Sequence, residues 1–424
     1  MIRTRSALSA VVALACAFAL VGCGSSSGAG SRQLTLLAWD TGQDNDPLDT
    51  AVTQFKQANP GVTVTVKKTP YTQYEQSLRL QMSSGRPPDV ARVVLGYGDA
   101  GTALSLADKN LLTDLSSAPW ASQIPAAAVV TTNKGAKTYA FPAESSVLAA
   151  IYQPATFTKY RLAVPKTYAD VLKLCATFRA KTGHAAIALG GASGSLMPAF
   201  YVYGLVASSV YATQPDYGTR RLNGAVTFSG TAGWQQALTK FDAARGAGCF
   251  DKNAAGLSQQ SASAAVAQGT ALFAVGLDAT LPLFQAGNPG AKLRVFPFPG
   301  TDDPSKLRVA TAPVVGLAVP ARARNVTLAR KFLDFYAAHR IAYSQRDNTI
   351  PSIPARGKGS ALPAYARSIA PYLPAKTVTL ADALWPSPDV ETQLENGLVK
   401  LLLNNGSEQG VLRGMDAAWS TKGS

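Results

Sequence analysis

The chain has 424 residues, 40 Lys and Arg against 25 Asp and Glu, 47% apolar content and 15% charged content. This length accommodates two domain cores at roughly 100–200 residues each, and the low charged fraction excludes disorder and coiled coil. His184 and His339 are the only 2 histidines, so a multi-histidine metal centre is excluded and a His-based triad would have to use one of them.

At the N-terminus, Arg3 and Arg5 precede an apolar run from Ala7 to Gly22, followed by Cys23 and a Gly/Ser stretch to Ser31. A charged n-region, a short apolar h-region and a small-residue exit mark residues 1–22 as an export signal; the run is short for a membrane span and lacks a stop-transfer flank. Leu20-Val21-Gly22-Cys23 resembles the bacterial lipobox. That resemblance implies acylation of Cys23, with residues 23–32 as the acylated Cys and flexible tether; an ordinary secretory signal or an uncleaved anchor are the alternatives. Loss of Arg3 and Arg5 with the signal lowers the +15 formal charge by two and leaves a basic body. Its cations are scattered. The densest group is Arg322, Arg324, Arg330 and Lys331, with no interleaved aromatics, so the chain is not read as a nucleic-acid binder. Attraction to anionic lipid, up to ~1 kcal/mol per juxtamembrane charge, is a sufficient reading of the excess.

From Leu34 to Trp39 the sequence reads as a short apolar strand. Asp46-Pro47 then caps a helix carrying Leu48, Val52 and Phe55, which Asn59-Pro60-Gly61 stops. Val62 to Val66 alternates as a strand, a helix carries Tyr74, Leu78 and Met82, and after Gly85-Arg86-Pro87-Pro88 comes a buried strand, Asp89 to Leu95. Strand and helix in strict alternation imply a parallel α/β sheet. The middle of the chain, from about Glu144 to Asn288, repeats the alternation with longer helices: Thr167 caps one, Ile187–Leu189 is a short strand, and Trp234, Leu238 and Phe241 mark another helical face. Leu293–Phe298 and Val314–Val319 read as strands, a helix starts at Asn325, and the chain is helical again from about Val390. Removal of Cys16 and acylation of Cys23 leave Cys175 and Cys249 in an oxidising compartment. A Cys175–Cys249 disulfide is the preferred reading, with a buried thiol at Cys175 as the alternative.

Two motifs suggest catalysis and fail on context. Gly96-Tyr97-Gly98-Asp99-Ala100-Gly101 has G-x-G-x-x-G spacing, but it follows the third strand and lacks the acid expected ~20 residues on. It reads better as a glycine-lined cleft wall. Gly190-Gly191-Ala192-Ser193-Gly194-Ser195 is not a G-x-S-x-G nucleophile elbow and has no oriented base, so it reads as a flexible loop. No cofactor is expected.

The segment Leu34 to Val66, with its Trp39-Asp40 strand end and Asn59-Pro60-Gly61-Val62 stop, resembles the opening of the family 1 extracellular solute-binding proteins of ABC importers. Further matches follow in family order: Ser84-Gly85-Arg86-Pro87-Pro88-Asp89-Val90, Tyr139 to Glu144 through Ile151-Tyr152, Val164-Pro165-Lys166-Thr167-Tyr168, Phe296-Pro297-Phe298-Pro299 and Gly316 to Tyr336. The resemblance implies a two-lobed α/β periplasmic-binding-protein-like clamshell with the ligand cleft between lobes joined by hinge strands. The expected first lobe is 33–143 plus 291–345 and the second is 144–290 plus 346–424. The implied role is capture of a carbohydrate by hinge closure, without chemistry, by a monomer that delivers it to a membrane permease driven by a cytoplasmic ATPase. A glycerophosphodiester or other non-sugar solute on the same fold, or a surface glycoside hydrolase, are the alternatives. One departure stands out: Ala274-Val275-Gly276-Leu277-Asp278 carries a carboxylate where many sugar-binding members have Trp.

Strand ends and crossovers face the cleft in such an architecture. The candidate ligand contacts are therefore Asp40, Gln43, Asp44 and Asn45 after the first strand, Tyr97 after the third, the crossover acid Glu144, the second-lobe acid Asp278, and Trp385 as a ring-stacking aromatic. For each acid the competing reading is a solvated loop or helix cap. For Trp385 it is a core aromatic.

Overall fold

The computed structural model describes residues 32–40, 46–98, 100–346, 349–354, 362–373 and 375–420. Cys23, Gln43, Asp44 and Asn45 lie outside these residues. The first half runs β1 (Gln33–Trp39), α1 (Pro47–Ala58), β2 (Thr63–Thr69), α2 (Tyr71–Ser83), β3 (Val90–Val94), α3 (Ala103–Asp108), α4 (Ala126–Thr132), the ribbon β4 (Asn133–Lys134) and β5 (Lys137–Thr138), and the long β6 (Phe141–Tyr152). Then come α5 (Pro154–Tyr160), α6 (Tyr168–Thr182), α7 (Met197–Ser209), α8 (Tyr217–Leu222), α9 (Ala232–Gly246), α10 (Gln259–Gln268), β7 (Phe273–Leu277), α11 (Leu281–Gly287) and β8 (Arg294–Phe296). The chain ends with β9 (Val309–Ala318), α12 (Val326–Arg346), β10 (Ile350–Pro351), β11 (Thr377–Thr379), α13 (Pro388–Leu402) and α14 (Glu408–Ser420).

The local signals set the element ends. Asp46 Oδ1 accepts the Leu48 N–H at 3.0 Å, with Pro47 in the first turn of α1. Thr167 and Asp170 form a reciprocal capping box on α6. Asn325 Oδ1 accepts the Leu328 N–H at 3.1 Å and starts α12. β1 pairs in parallel with both β2 and β3, as the alternation implies.

Two long strands join the lobes. The first part of β6, at Phe141 and Pro142, pairs with Leu317 and Gly316 of β9, and its later part, Ser146 to Leu148, pairs with Ala312 to Ala310. Register shifts fall on either side of Glu144, where the strand passes from one lobe to the other. β10 covers the same point, Pro351 opposite Glu144 and Ile350 opposite Ser145. On the first-lobe side two apolar clusters pack against the sheet: one around Phe55, Phe141, Phe332 and Tyr336, the other around Tyr74, Leu78, Leu95 and Leu106. A third and larger cluster fills the second lobe around Phe178, Tyr201, Trp234, Phe273, Trp385 and Trp419.

The packing departs from the expected lobe boundaries in two stretches: Ile353, expected in the second lobe, joins Phe332, Tyr336 and Tyr343 in a first-lobe cluster, and residues 291–312 go the other way. Residues 291–312 contribute Leu293, Val295, Phe296, Phe298, Val309, Ala310 and Ala312 to the second-lobe core, and β8 pairs with Ala150 to Tyr152 of β6. The physical reason is the length of β9. A strand continuous through both lobes passes from one to the other in its middle, near Val314, rather than at the turn before it. The Cys175–Cys249 disulfide forms within the second lobe, with a Cα separation of 5.0 Å.

Candidate functional site

Strand direction fixes where a ligand can be met. β3 runs antiparallel to β9, with Val94 opposite Val315 and Ala91 opposite Ala318, so the C-terminal end of β3 points toward the stretch of β9 that enters the second lobe. β1 and β2 run parallel to β3, and their ends lie side by side, Trp39 opposite Thr69. Asp40, Tyr71 and Tyr97 therefore share the first-lobe edge that faces the other lobe. From the opposite side β7 runs antiparallel to β6, Leu277 opposite Leu148, and returns Asp278 to the crossover. Ile187 bridges Phe273 in parallel, which directs Gly190–Ser195 to the same edge. Ligands of open α/β sheets bind at such strand ends.

The first-lobe edge is built around Arg92. This side chain is 2% exposed, ion-paired to Asp46, and donates from Nη1 to the Trp39 carbonyl at 3.1 Å. Its guanidinium lies 5.2 Å from the Trp39 ring centroid. Lys68 adds a second cation to Asp46 at 2.9 Å and reaches Asp49 at 2.6 Å. Burial alone would raise the pKa of Asp46; hydrogen bonds and charge from Arg92 and Lys68 outweigh it and hold the carboxyl below its ordinary value. The Trp39 ring thus has a fixed platform, and Tyr71 packs edge-on against it, centroids 5.5 Å apart. The Tyr71 ring is 51% exposed.

Tyr97 carries one of the contacts between lobes. Its N–H donates to the Ala383 carbonyl of the second lobe at 3.2 Å, while its hydroxyl reaches Asp108 at 3.3 Å. Gly96, at φ +84, allows this approach, because a Cβ there would fall 2.2 Å from the same Ala383 oxygen. The G-x-G-x-x-G segment is thus a place where one lobe's backbone meets the other's.

Asp278 reaches the cleft edge but spends its oxygens on the protein. It is 5% exposed, accepts the Val147 N–H at 2.9 Å on Oδ1 and the Tyr365 hydroxyl at 2.7 Å on Oδ2. Burial raises its pKa against these bonds. Its place is to pin the end of β7 to the start of the second-lobe part of β6. Trp385 is 4% exposed, and its ring packs against Tyr203 at 5.7 Å, Phe228 at 5.6 Å and Trp234 at 6.3 Å. That is the core-aromatic reading rather than an open stacking face.

The expected flexible loop at Gly190–Ser195 is instead fastened. Gly191 N–H donates to the Ala254 carbonyl at 2.7 Å, Ala192 N–H to Leu257 at 3.0 Å, and the Ser195 hydroxyl to Gly190 at 2.5 Å. A Cβ on Gly190 would lie 2.7 Å from the Ser258 oxygen, so glycine is what lets the two segments pair. Glu144, at the register shifts, sits within the electrostatic reach of Arg92 and Tyr336.

Beside Trp385 the structure gathers carboxylates that sequence spacing did not reveal. Asp382 and Glu391 hydrogen-bond to each other, and the Tyr203 hydroxyl donates to Glu391 at 3.0 Å. Burial raises both acids, and the charge of Glu391 raises Asp382 further. Glu395, one turn along α13, is pushed up to about 7 by burial and by Glu391. Among the described residues no group of His, Cys, Asp and Glu is arranged to hold a metal ion.

Of the expected contacts, Asp40, Tyr97, Glu144 and Asp278 gather at the interlobe edge, whereas Trp385 lies in the core behind it. Tyr71 was missed. Its signal was an aromatic directly after the alternating second strand, at a strand-to-helix junction.

Two lobes sharing one nine-stranded sheet through the long strands β6 and β9, with candidate ligand contacts at strand ends of both, have the architecture of a two-lobed solute-binding protein. Residues 39–342 match the sequence profile described as bacterial extracellular solute-binding protein. The chain belongs to this family, whose members are receptors and not enzymes. It is similar in structure to a family 1 extracellular solute-binding protein from Bifidobacterium longum subsp. infantis, at a TM-score of 0.78 and 20% identity over 93% of this chain and 100% of that one. It is also similar to RafE of Streptococcus pneumoniae, solved in complex with raffinose, at 0.69 and 16% over 91% and 98% of the two chains. A probable secreted solute-binding lipoprotein from Streptomyces coelicolor aligns at 0.72 and 18% over 92% and 99%. Sequence comparison with curated proteins gives no match.

Proposed function

We propose that this receptor captures a carbohydrate between its lobes, as the substrate-binding lipoprotein of an ABC importer, and hands it unchanged to a membrane permease. The observation that carries this reading is the aromatic and carboxylate mixture at the first-lobe edge. The half-exposed Tyr71 ring stands on a Trp39 platform locked by Arg92, beside Asp40 and with Glu144 at the crossover. Sugar rings pack their C–H faces on aromatic rings while their hydroxyls donate to carboxylates. The raffinose complex of RafE supports the same ligand class. Closure about the β6 and β9 crossovers gives the permease a shape to recognise. Acylated Cys23 would hold the monomer at the outer face of the cytoplasmic membrane, since a diacyl group supplies the two-chain attachment that stable anchoring needs.

Calorimetry and thermal shift with a panel of sugars, amino sugars and glycerophosphodiesters test the ligand class. A sugar at 100 times its Kd is expected to stabilise the protein by ~2.7 kcal/mol and to be recovered unchanged. Stabilisation by a glycerophosphodiester alone would move the assignment to an anionic solute, and conversion of the sugar would move it to a hydrolase.

A further inference from the structure

The topology that sends the C-terminal ends of β1–β3 to the cleft sends their N-terminal ends to the opposite pole of the first lobe, and exposed cations collect there. Arg32 precedes β1, its carbonyl accepting the Thr63 N–H at 2.8 Å and its guanidinium lying against the turn at Gly61. Lys56 is in the last turn of α1, just before that turn. Arg86 lies between α2 and β3, three residues before Asp89, whose N–H donates to the Thr35 carbonyl at 2.8 Å. Arg322 and Arg324 occupy the connection from β9 to α12, tied to the pole by Asn325, which donates from Nδ2 to the Gln33 carbonyl at 3.4 Å and from its N–H to Asp89 at 2.9 Å.

These five side chains are exposed, and among the described residues none forms a salt bridge. The carboxylate in their midst, Asp89, is 3% exposed and bonded to Thr35 and Asn325, so it offers no counter-charge at the surface. Asp114, farther round, is set against Lys137 and Arg330. The chain before residue 32 joins the lobe at this same pole, because β1 begins at Gln33. Cations that look scattered in sequence are therefore concentrated by the fold at the point where the tether attaches, while Asp40 and Glu144 lie toward the cleft.

The geometry points to this pole as a docking surface for an anionic membrane, holding the base of the first lobe against negatively charged lipid headgroups with the cleft turned away from them. An acyl tether alone restrains distance and leaves orientation free. A charged face within a Debye length of the surface, roughly 8 Å at physiological salt, adds orientation, and each cation there multiplies the partition coefficient about fivefold. The inference uses the anchored reading above only for its setting; the charge distribution stands without it.

The test uses the mature chain with Cys23→Ser, which carries no acyl group, sedimented with vesicles of phosphatidylcholine alone or mixed with phosphatidylglycerol. Partition into the anionic vesicles only, abolished by high salt, is expected. Arg322→Glu with Arg324→Glu should lower that partition by roughly tenfold or more. Lys173→Glu with Lys252→Glu changes the net charge equally on the second lobe and should alter partition less than about twofold. Unchanged melting temperatures establish that both variants are folded. Equal losses in the two variants would reveal a net-charge attraction without a docking face and overturn the proposal, as would absence of vesicle binding. Equally tight binding to soluble polyglutamate would assign the pole to an acidic protein partner and overturn the lipid assignment.

Discussion

The two lobes secure their cleft edges with buried carboxylates that end in opposite states. In the first, Asp46 has Arg92 and Lys68 as partners and is held ionised. In the second, Asp382 and Glu391 have each other: burial raises both toward the protonated form, and the charge of Glu391 raises Asp382 further. Burial gives a site its leverage, and the charge of the partner decides the direction in which the proton equilibrium moves. The first edge is tied by cations, and the second by the Asp382–Glu391 hydrogen bond and the aromatic packing around Trp385. Each arrangement can be broken separately.

The largest effect is expected from the buried ion pair. Arg92→Met leaves the carboxylate of Asp46 buried with Lys68 as its remaining cation, and should cost ~3–5 kcal/mol in urea unfolding; adding Asp46→Asn should recover part of that loss. Trp385→Ala should cost a similar ~3–5 kcal/mol because it empties the aromatic cluster of the second lobe. A large loss of ligand affinity with little loss of stability would instead make it a stacking residue of the cleft. Replacing Cys175 and Cys249 by Ala opens a link across 74 residues and should lower stability by ~2–4 kcal/mol, read by calorimetry against the wild type.

Proton linkage sharpens the contrast further. The depressed Asp46 contributes stability that is present above its unfolded pKa, roughly 4, and is lost as the pH falls through its lower folded value. The raised acids of the second lobe behave oppositely: their contribution is full below roughly 4 and is lost as the pH rises through their folded values, about 7 for Glu395. Wild type should therefore melt at a lower temperature at pH ~8 than at pH ~5, and Glu391→Gln should flatten that slope. An unchanged slope would show that the three acids are ionised throughout. The smallest stability effect belongs to Tyr71→Ala, an exposed change of about 0.5 kcal/mol or less, while ligand affinity should fall by ~0.5–1.5 kcal/mol if the ring stacks on a sugar.

Local chemistry made much of this molecule readable in one dimension. Asp46-Pro47, Thr167 with Asp170, and Asn325 announced their helices because caps act over a few residues. Parallel pairing of the first strands followed from alternation, and the ordered motifs identified the two-lobed family. Positions at strand ends were legible, so the candidates Asp40, Tyr97 and Glu144 lie at the interlobe edge where they were expected. What their side chains meet was not. Asp278 looked like a ligand acid, yet Val147 and Tyr365, 131 and 87 residues away in the chain, occupy its oxygens.

The sequence by itself determined the element types and the fold class, because periodicity, capping and strand order are properties of neighbouring residues. Only the tertiary structure decided that β9 changes lobe in its middle, that Trp385 is walled in by Tyr203, Phe228 and Trp234, and that Asp382 finds Glu391 as its partner. It also drew cations from positions 32 to 324 onto one pole. Burial and charge pairing depend on distances in space between residues far apart in the chain, and those distances exist only once the chain has folded.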